Sequence, residues 1–394
     1  MESMFAKRAA MGLAATGLGL GGIALVAPSA GAIIPPGPGC TIINYGFVSV
    51  FPTDPLLGTN GDDVICLLAT SLTQGIFVDA RGGDDVVYGT SLADTVFGGS
   101  GDDVVYGYGG DDVVSGNAGD DTVWGGTGLD FIEGGAGNDK LNGDSGADYV
   151  YGDADNDYID LGSGDDHGSG GNDEDEIYGG EGIDVIDGNN GDDYVSGGNR
   201  NDDLYGGEGN DTVNGNDGQD DVWGDSESGF SSARAGKWWA NGPLPDDINY
   251  WLLGPSRTAA NDTLRGGRDD DWIDGEIGDD QVYGEQGDDI VYGGLGADQV
   301  NGNEDEDEVN GTEFTTSPGG GYNTTILGFL LGVAPANALA TLLTYDGNDT
   351  VNGGSEDDHL TGGAGLDLLD GGLGYDDCDP QVGGGSVASC ELVL

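Results

Sequence analysis

Positive charge is what this chain has least of. Its 394 residues hold 10 Lys plus Arg against 74 Asp plus Glu, a formal net charge of -64. A surface of that sign repels phosphate backbones and anionic lipid, which excludes nucleic acid as a main partner and attracts cations instead. Histidine occurs twice and cysteine four times, too few for a series of zinc sites. Paired carboxylates are everywhere, so no pair of them singles out a glycosidase-like centre. No segment outside the repeats described below exceeds about 60 residues, too short for a separate catalytic domain.

Apolar runs are also scarce, and the first of them is an address. Lys7 and Arg8 precede an uncharged Ala/Gly/Leu run that ends at Ala30-Gly31-Ala32, the pattern of a cleaved export signal. Residues 9–27 are long enough for a membrane anchor, but their Gly and Ala content makes them weakly apolar, so cleavage is expected. Loss of residues 1–32 removes Glu2, Lys7 and Arg8 and leaves a charge of -65. Cys40 follows Pro38-Gly39, which is no lipid-attachment signal. Export makes disulfides the expectation, and sequence-local pairing joins Cys40 to Cys66 and Cys378 to Cys390.

What the chain has in excess is glycine, 82 residues, and it recurs with aspartate at a period of nine. From Ala80, sixteen units run without a gap to Trp223. Their sixth position is always Asp: Asp85, Asp94, Asp103, Asp112, Asp121, Asp130, Asp139, Asp148, Asp157, Asp166, Asp175, Asp184, Asp193, Asp202, Asp211 and Asp220. The eighth is Val, Ile or Leu in fifteen of the sixteen, Gly168 being the exception. A second run from Gly266 gives Asp271, Asp280, Asp289, Asp298 and Asp307, and a third from Gly353 gives Asp358, Asp367 and Asp376. An early unit, Gly58 to Cys66, supplies Asp63, and two units split by insertions supply Asp262 and Asp349.

Each residue type has a physical reading. Gly at positions one, two and four admits backbone turns with positive φ and leaves carbonyl oxygens facing inward. Aspartate adds a hard anionic oxygen, and carbonyls with carboxylates are the donor set that Ca²⁺ prefers. The last three residues alternate, the eighth inward and its neighbours outward. One buried aliphatic side chain for every nine ordered residues is a thin core, and stacked carboxylates repel. Binding many divalent ions to the rolled form alone offsets both deficits.

Units such as Gly134-Gly135-Ala136-Gly137-Asn138-Asp139-Lys140-Leu141-Asn142 and Gly206-Gly207-Glu208-Gly209-Asn210-Asp211-Thr212-Val213-Asn214 resemble the RTX (haemolysin-type) repeat G-G-x-G-x-D-x-U-x. The resemblance covers about four-fifths of the chain. It implies an all-β parallel β-roll with two nonapeptides per turn. It also implies an ion between loops of successive turns on one edge, with the aspartates named above as ligands beside loop carbonyls. The 27 units, two of them split, would give roughly 25 sites at most. Leu92, Asp155, Asp173 and Arg200 replace the fourth-position Gly, so sites there are expected to be weak, and Arg200 is expected to bring its own cation. Proteins of this family usually leave the cell by a C-terminal uncleaved signal, from which the N-terminal signal here departs.

The expected order is a signal peptide at 1–32, an N-terminal cap at 33–57, a first array at 58–225 and an insertion at 226–260. A second array follows at 261–312, an apolar insertion at 313–346, a third array at 347–379 and a C-terminal cap at 380–394. Each insertion adds 33 residues at one point of the repeat, six units apart, so both leave the same edge three turns apart. One carries Trp238, Trp239 and Trp251; the other runs from Thr315 to Tyr345 without a charge. Both its ends return to one roll, and Gly332 and Pro335 interrupt it, which argues against a membrane span. Burial of the two against each other is expected, with docking of an extracellular or cell-surface partner as the alternative. Gly143-Asp144-Ser145-Gly146 imitates a serine-protease signature, and Asp153, Asp155 and Asp157 imitate an EF-hand start, but both are repeat positions. The expectation is therefore a secreted, non-enzymatic calcium-binding protein. Its alternatives are an adhesive surface built on the aromatic ladder Tyr88, Tyr106 and Trp124, and, third, an enzyme using the insertions.

Overall fold

In a computed structural model of the protein the residues described are 42–44, 56–67, 75–224, 260–311, 348–363, 366–379, 386–390 and 392–393. All lie in the compact unit Pro36–Leu394. The export segment, the Cys40–Cys66 pairing and the interiors of both insertions fall outside these residues. Among the described residues every regular element is a strand, and no helix is long and apolar enough to cross a membrane.

The strands form two parallel sheets of 16, and the chain alternates between them. One sheet runs from Ile42–Asn44 through Val64–Leu67, Val86–Tyr88 and Val104–Gly109 to Ser386–Ala388. The other runs from Leu56–Leu57 through Phe77–Gly82 and Thr95–Ser100 to Leu392–Val393. Each strand pairs with the strand one full turn away, as in Val105↔Val123 and Ile132↔Val150. Two nonapeptides therefore make one turn of a parallel β-roll of about 14 turns.

The period-two alternation is what closes the core. In Thr122–Thr127 the eighth-position Val123 is fully buried while its neighbours Thr122 and Trp124 are half-buried. The same column of Val, Ile and Leu continues to Leu369, and in the facing sheet the matching column runs through Leu360 to Cys378, whose bond to Cys390 ties the last turn, with a Cα–Cα distance of 6.1 Å. The ladder crosses both insertions in register, Val213↔Leu264 and Val300↔Val351. Within the segment expected to cap the N-terminal end, Ile42–Asn44 and Leu56–Leu57 are the first strand of each sheet.

Two features were illegible as repeats. Phe77–Gly82 continues a sheet in which Val78 fills the eighth-position slot, but Ile76 stands where the aspartate would be. The gap left by Gly168 is filled from its own unit, because Leu161 stands where a first-position Gly would be and is fully buried. A Cβ at Gly168 would lie 3.0 Å from Leu161 Cδ1. Gly168→Val alone should therefore overpack this turn and cost about 1–3 kcal/mol. Adding Leu161→Gly should recover much of that loss in a thermal melt at saturating Ca²⁺; strictly additive losses would show that the two sites do not share one volume.

Candidate metal centre

The sixth-position aspartates stand in two columns, one on each edge of the roll. Asp85, Asp103, Asp121 and Asp139 follow one another on the first edge, and Asp94, Asp112, Asp130 and Asp148 on the second. In each column Oδ1 accepts the backbone N–H of the aspartate one turn earlier: Asp85 N–H to Asp103 Oδ1 at 2.8 Å, Asp94 N–H to Asp112 Oδ1 at 2.7 Å. The insertions do not interrupt the pattern, since Asp211 N–H reaches Asp262 Oδ1 at 2.8 Å and Asp298 N–H reaches Asp349 Oδ1 at 3.0 Å. Both insertions thus leave the first edge, three turns apart. All 27 aspartates are buried, the most exposed being Asp63 at 7%.

Burial without a partner defines the second carboxylate oxygen. In Asp85, Asp103, Asp112, Asp121, Asp139 and others along both columns, Oδ2 is inaccessible to solvent and accepts no hydrogen bond. An oxygen so placed costs free energy unless something satisfies it. A Cβ at Gly98 would lie 2.4 Å from Asp103 Oδ2 and 2.9 Å from the carbonyl oxygen of Gly116, one turn on. At Gly134 the corresponding distances are 2.3 Å to Asp139 Oδ2 and 2.9 Å to the Gly152 carbonyl. Among the described residues no three His, Cys, Asp or Glu side chains converge as a metal-holding group. The donors that could surround a cation are thus carboxylate oxygens completed by backbone carbonyls, all hard oxygens, which fits Ca²⁺.

The glycines divide by cause. At positions two and four φ is positive in most units, as at Gly99 (120°) and Gly101 (117°). At position one φ is not positive, contrary to expectation; a side chain there would run into the aspartate and the next carbonyl. Replacements at position four keep the left-handed backbone: Asp155 and Asp173 at 73° and Arg200 at 80°. Asp269, Asp305 and Glu356, overlooked in the sequence, do the same. Leu92 does not, and its loop is built differently. The Arg200 side chain is exposed, 3.9 Å from the Asp165 carboxylate, so its guanidinium stays outside the aspartate column. Ser145 and His167 stand on opposite sheets, and Ser145 Oγ donates to the Gly126 carbonyl at 3.3 Å.

A β-roll with two columns of buried hard oxygens is a cation-binding scaffold. A family model for the RTX calcium-binding nonapeptide repeat matches residues 77–230, 258–314 and 343–378, more than half of the sequence. The chain belongs to that family and is a calcium-binding β-roll protein. A comparison with curated proteins found no match.

Burial raises these carboxyls from their ordinary value of 3.8, to about 6 for Asp85, about 7 for Asp103, about 8 for Asp112 and about 9 for Asp271. Repulsion from neighbouring aspartates adds to it, against the lowering effect of the backbone N–H. The metal-free roll consequently holds protons that the unfolded chain has released. Its stability should be greatest below about pH 4 and should fall as pH rises through 6 to 9. In chelator, circular dichroism should show more β-structure at pH 4 than at pH 9, and the reverse order would contradict the assignment. With Ca²⁺ present the same protons compete, so calcium affinity should weaken on acidification.

Proposed function

We propose that this is an exported protein whose roll forms as calcium binds, with the sixth-position aspartates as ligands: Asp63 and Asp94 at the column ends aside, those from Asp85 to Asp376. The observation that carries the reading is the buried, partnerless Oδ2 repeated turn after turn beside inward carbonyls. Bound Ca²⁺ would supply charge neutralisation between stacked carboxylates. The chain's own contribution is the spacing: Asp139 and Asp157, 18 residues apart, are joined by an N–H to Oδ1 bond of 2.7 Å, which fixes how far apart the two side chains stand.

Export is supported by Lys7-Arg8, the uncharged run and Ala30-Gly31-Ala32, so the mature protein should begin at Ile33. Burial of the two insertions against each other agrees with their shared edge, and any remaining apolar face would be the place for a cell-surface partner. An adhesive role for Tyr88, Tyr106 and Trp124 gains little support. Their ring centroids stand 5.3 and 4.7 Å apart, within 6° and 3° of parallel, so the faces that would grip a ligand cover one another.

Asp139 and its neighbour separate ligand from bystander. Asp139→Ala should lower the calcium held at saturation by at least one ion. Lys140→Ala, whose exposed Nζ sits 5.1 Å over the Tyr158 ring, should leave the number unchanged. Equal losses would place the ligand register elsewhere. Mg²⁺ should substitute poorly in both, because it demands octahedral geometry and sheds water reluctantly.

A further inference from the structure

The first aspartate of each column does not share the condition of the rest. On the first edge this is Asp63, followed by Asp85, whose Oδ1 accepts the Asp63 N–H at 2.7 Å. On the second edge it is Asp94, preceded one turn earlier by Ile76, whose N–H donates to Asp94 Oδ1 at 2.6 Å. Both belong to units that begin Gly-Thr in place of Gly-Gly, Gly58-Thr59 and Gly89-Thr90.

In each unit the threonine closes the loop onto the aspartate. Thr59 donates its N–H to Asp63 Oδ2 at 2.7 Å, and its Oγ1 stands 2.9 Å from the same oxygen. Thr90 donates its N–H to Asp94 Oδ2 at 2.5 Å and its hydroxyl to Oδ1 at 3.0 Å. The hydroxyls also accept the N–H of the fourth-position residue, Gly61 at 3.3 Å and Leu92 at 3.1 Å. Position two of these loops lacks the positive φ of Gly99 or Gly126, and that is what turns its N–H toward the carboxylate. The oxygen left bare in Asp85 and Asp112 is satisfied here by the chain itself.

We propose that Thr59 and Thr90 take the place of a cation at Asp63 and Asp94, ending both calcium columns at the N-terminal end of the roll and closing its first loops without metal. The inference rests on the calcium reading of the other aspartates. It closes the first loop of each edge by hydrogen bonds of the chain itself, although the carboxylate one turn on, Asp85 or Asp112, stands in its usual place.

Equilibrium dialysis of the full mature chain against saturating Ca²⁺ tests this with two double variants. Asp63→Asn with Asp94→Asn should bind as many ions as the parent, whereas Asp103→Asn with Asp112→Asn should lose at least two. A loss of two or more in the first pair overturns the proposal. No loss in the second pair would instead overturn the calcium assignment of the columns. Should either pair fail to fold, anomalous diffraction from the calcium-loaded parent decides. A cation should lie within about 2.3–2.6 Å of Asp112 Oδ2 and none within that distance of Asp63 Oδ2 or Asp94 Oδ2; a cation at either of the latter refutes the threonine caps.

Discussion

Everything in this roll follows from putting carboxylates where water cannot reach them. Each turn adds two aspartates to the interior, each held by one backbone N–H and crowded by the carboxylates above and below. Burial and mutual repulsion both disfavour the charged form, so the stack in isolation favours either protonation or unrolling. A divalent cation reverses the sign of that argument. In the proposed function the same buried oxygens that destabilise the metal-free roll become ligands once the ion is present, and the aliphatic column, one side chain per nonapeptide, need only align the turns.

The glycines make such crowding sterically feasible, and they do so in two ways. At positions two and four they give the backbone a left-handed turn, a role that Asp155, Asp173 and Arg200 can fill at some cost. At position one they keep clear the space in which Asp Oδ2 and the next turn's carbonyl face each other. Of the 27 units only those that begin with Ala80 and Leu161 carry a side chain there. At Leu161 the side chain is turned to core packing against Gly168, while Asp166 keeps both column hydrogen bonds and a buried Oδ2 without a partner.

Much of this was legible in the sequence because the period is strict. The sixth-position aspartates, the eighth-position core, two units per turn and the common edge of the insertions all rest on counting by nines, and the sheet register agrees with each. What counting could not reveal was substitution that preserves shape with other chemistry. Ile76 keeps the backbone of a repeat without its carboxylate, Leu161 and Gly168 exchange volume within one unit, and Thr59 and Thr90 bring hydrogen bonds where neighbouring units present a bare oxygen. The Gly-Thr start was the available signal. It stands in the first aspartate unit of each edge and once more at Gly311-Thr312, where an insertion follows and Thr312 lies outside the described residues.

In the proposed function ion binding and rolling are one event. The direct measurement is a calcium titration of the mature chain near pH 8, with bound ions and far-ultraviolet circular dichroism followed on the same sample. The two curves should rise together, with β-structure largely absent before ions bind. Full β-structure in chelator at that pH, with ions added afterwards to a roll already formed, would contradict it.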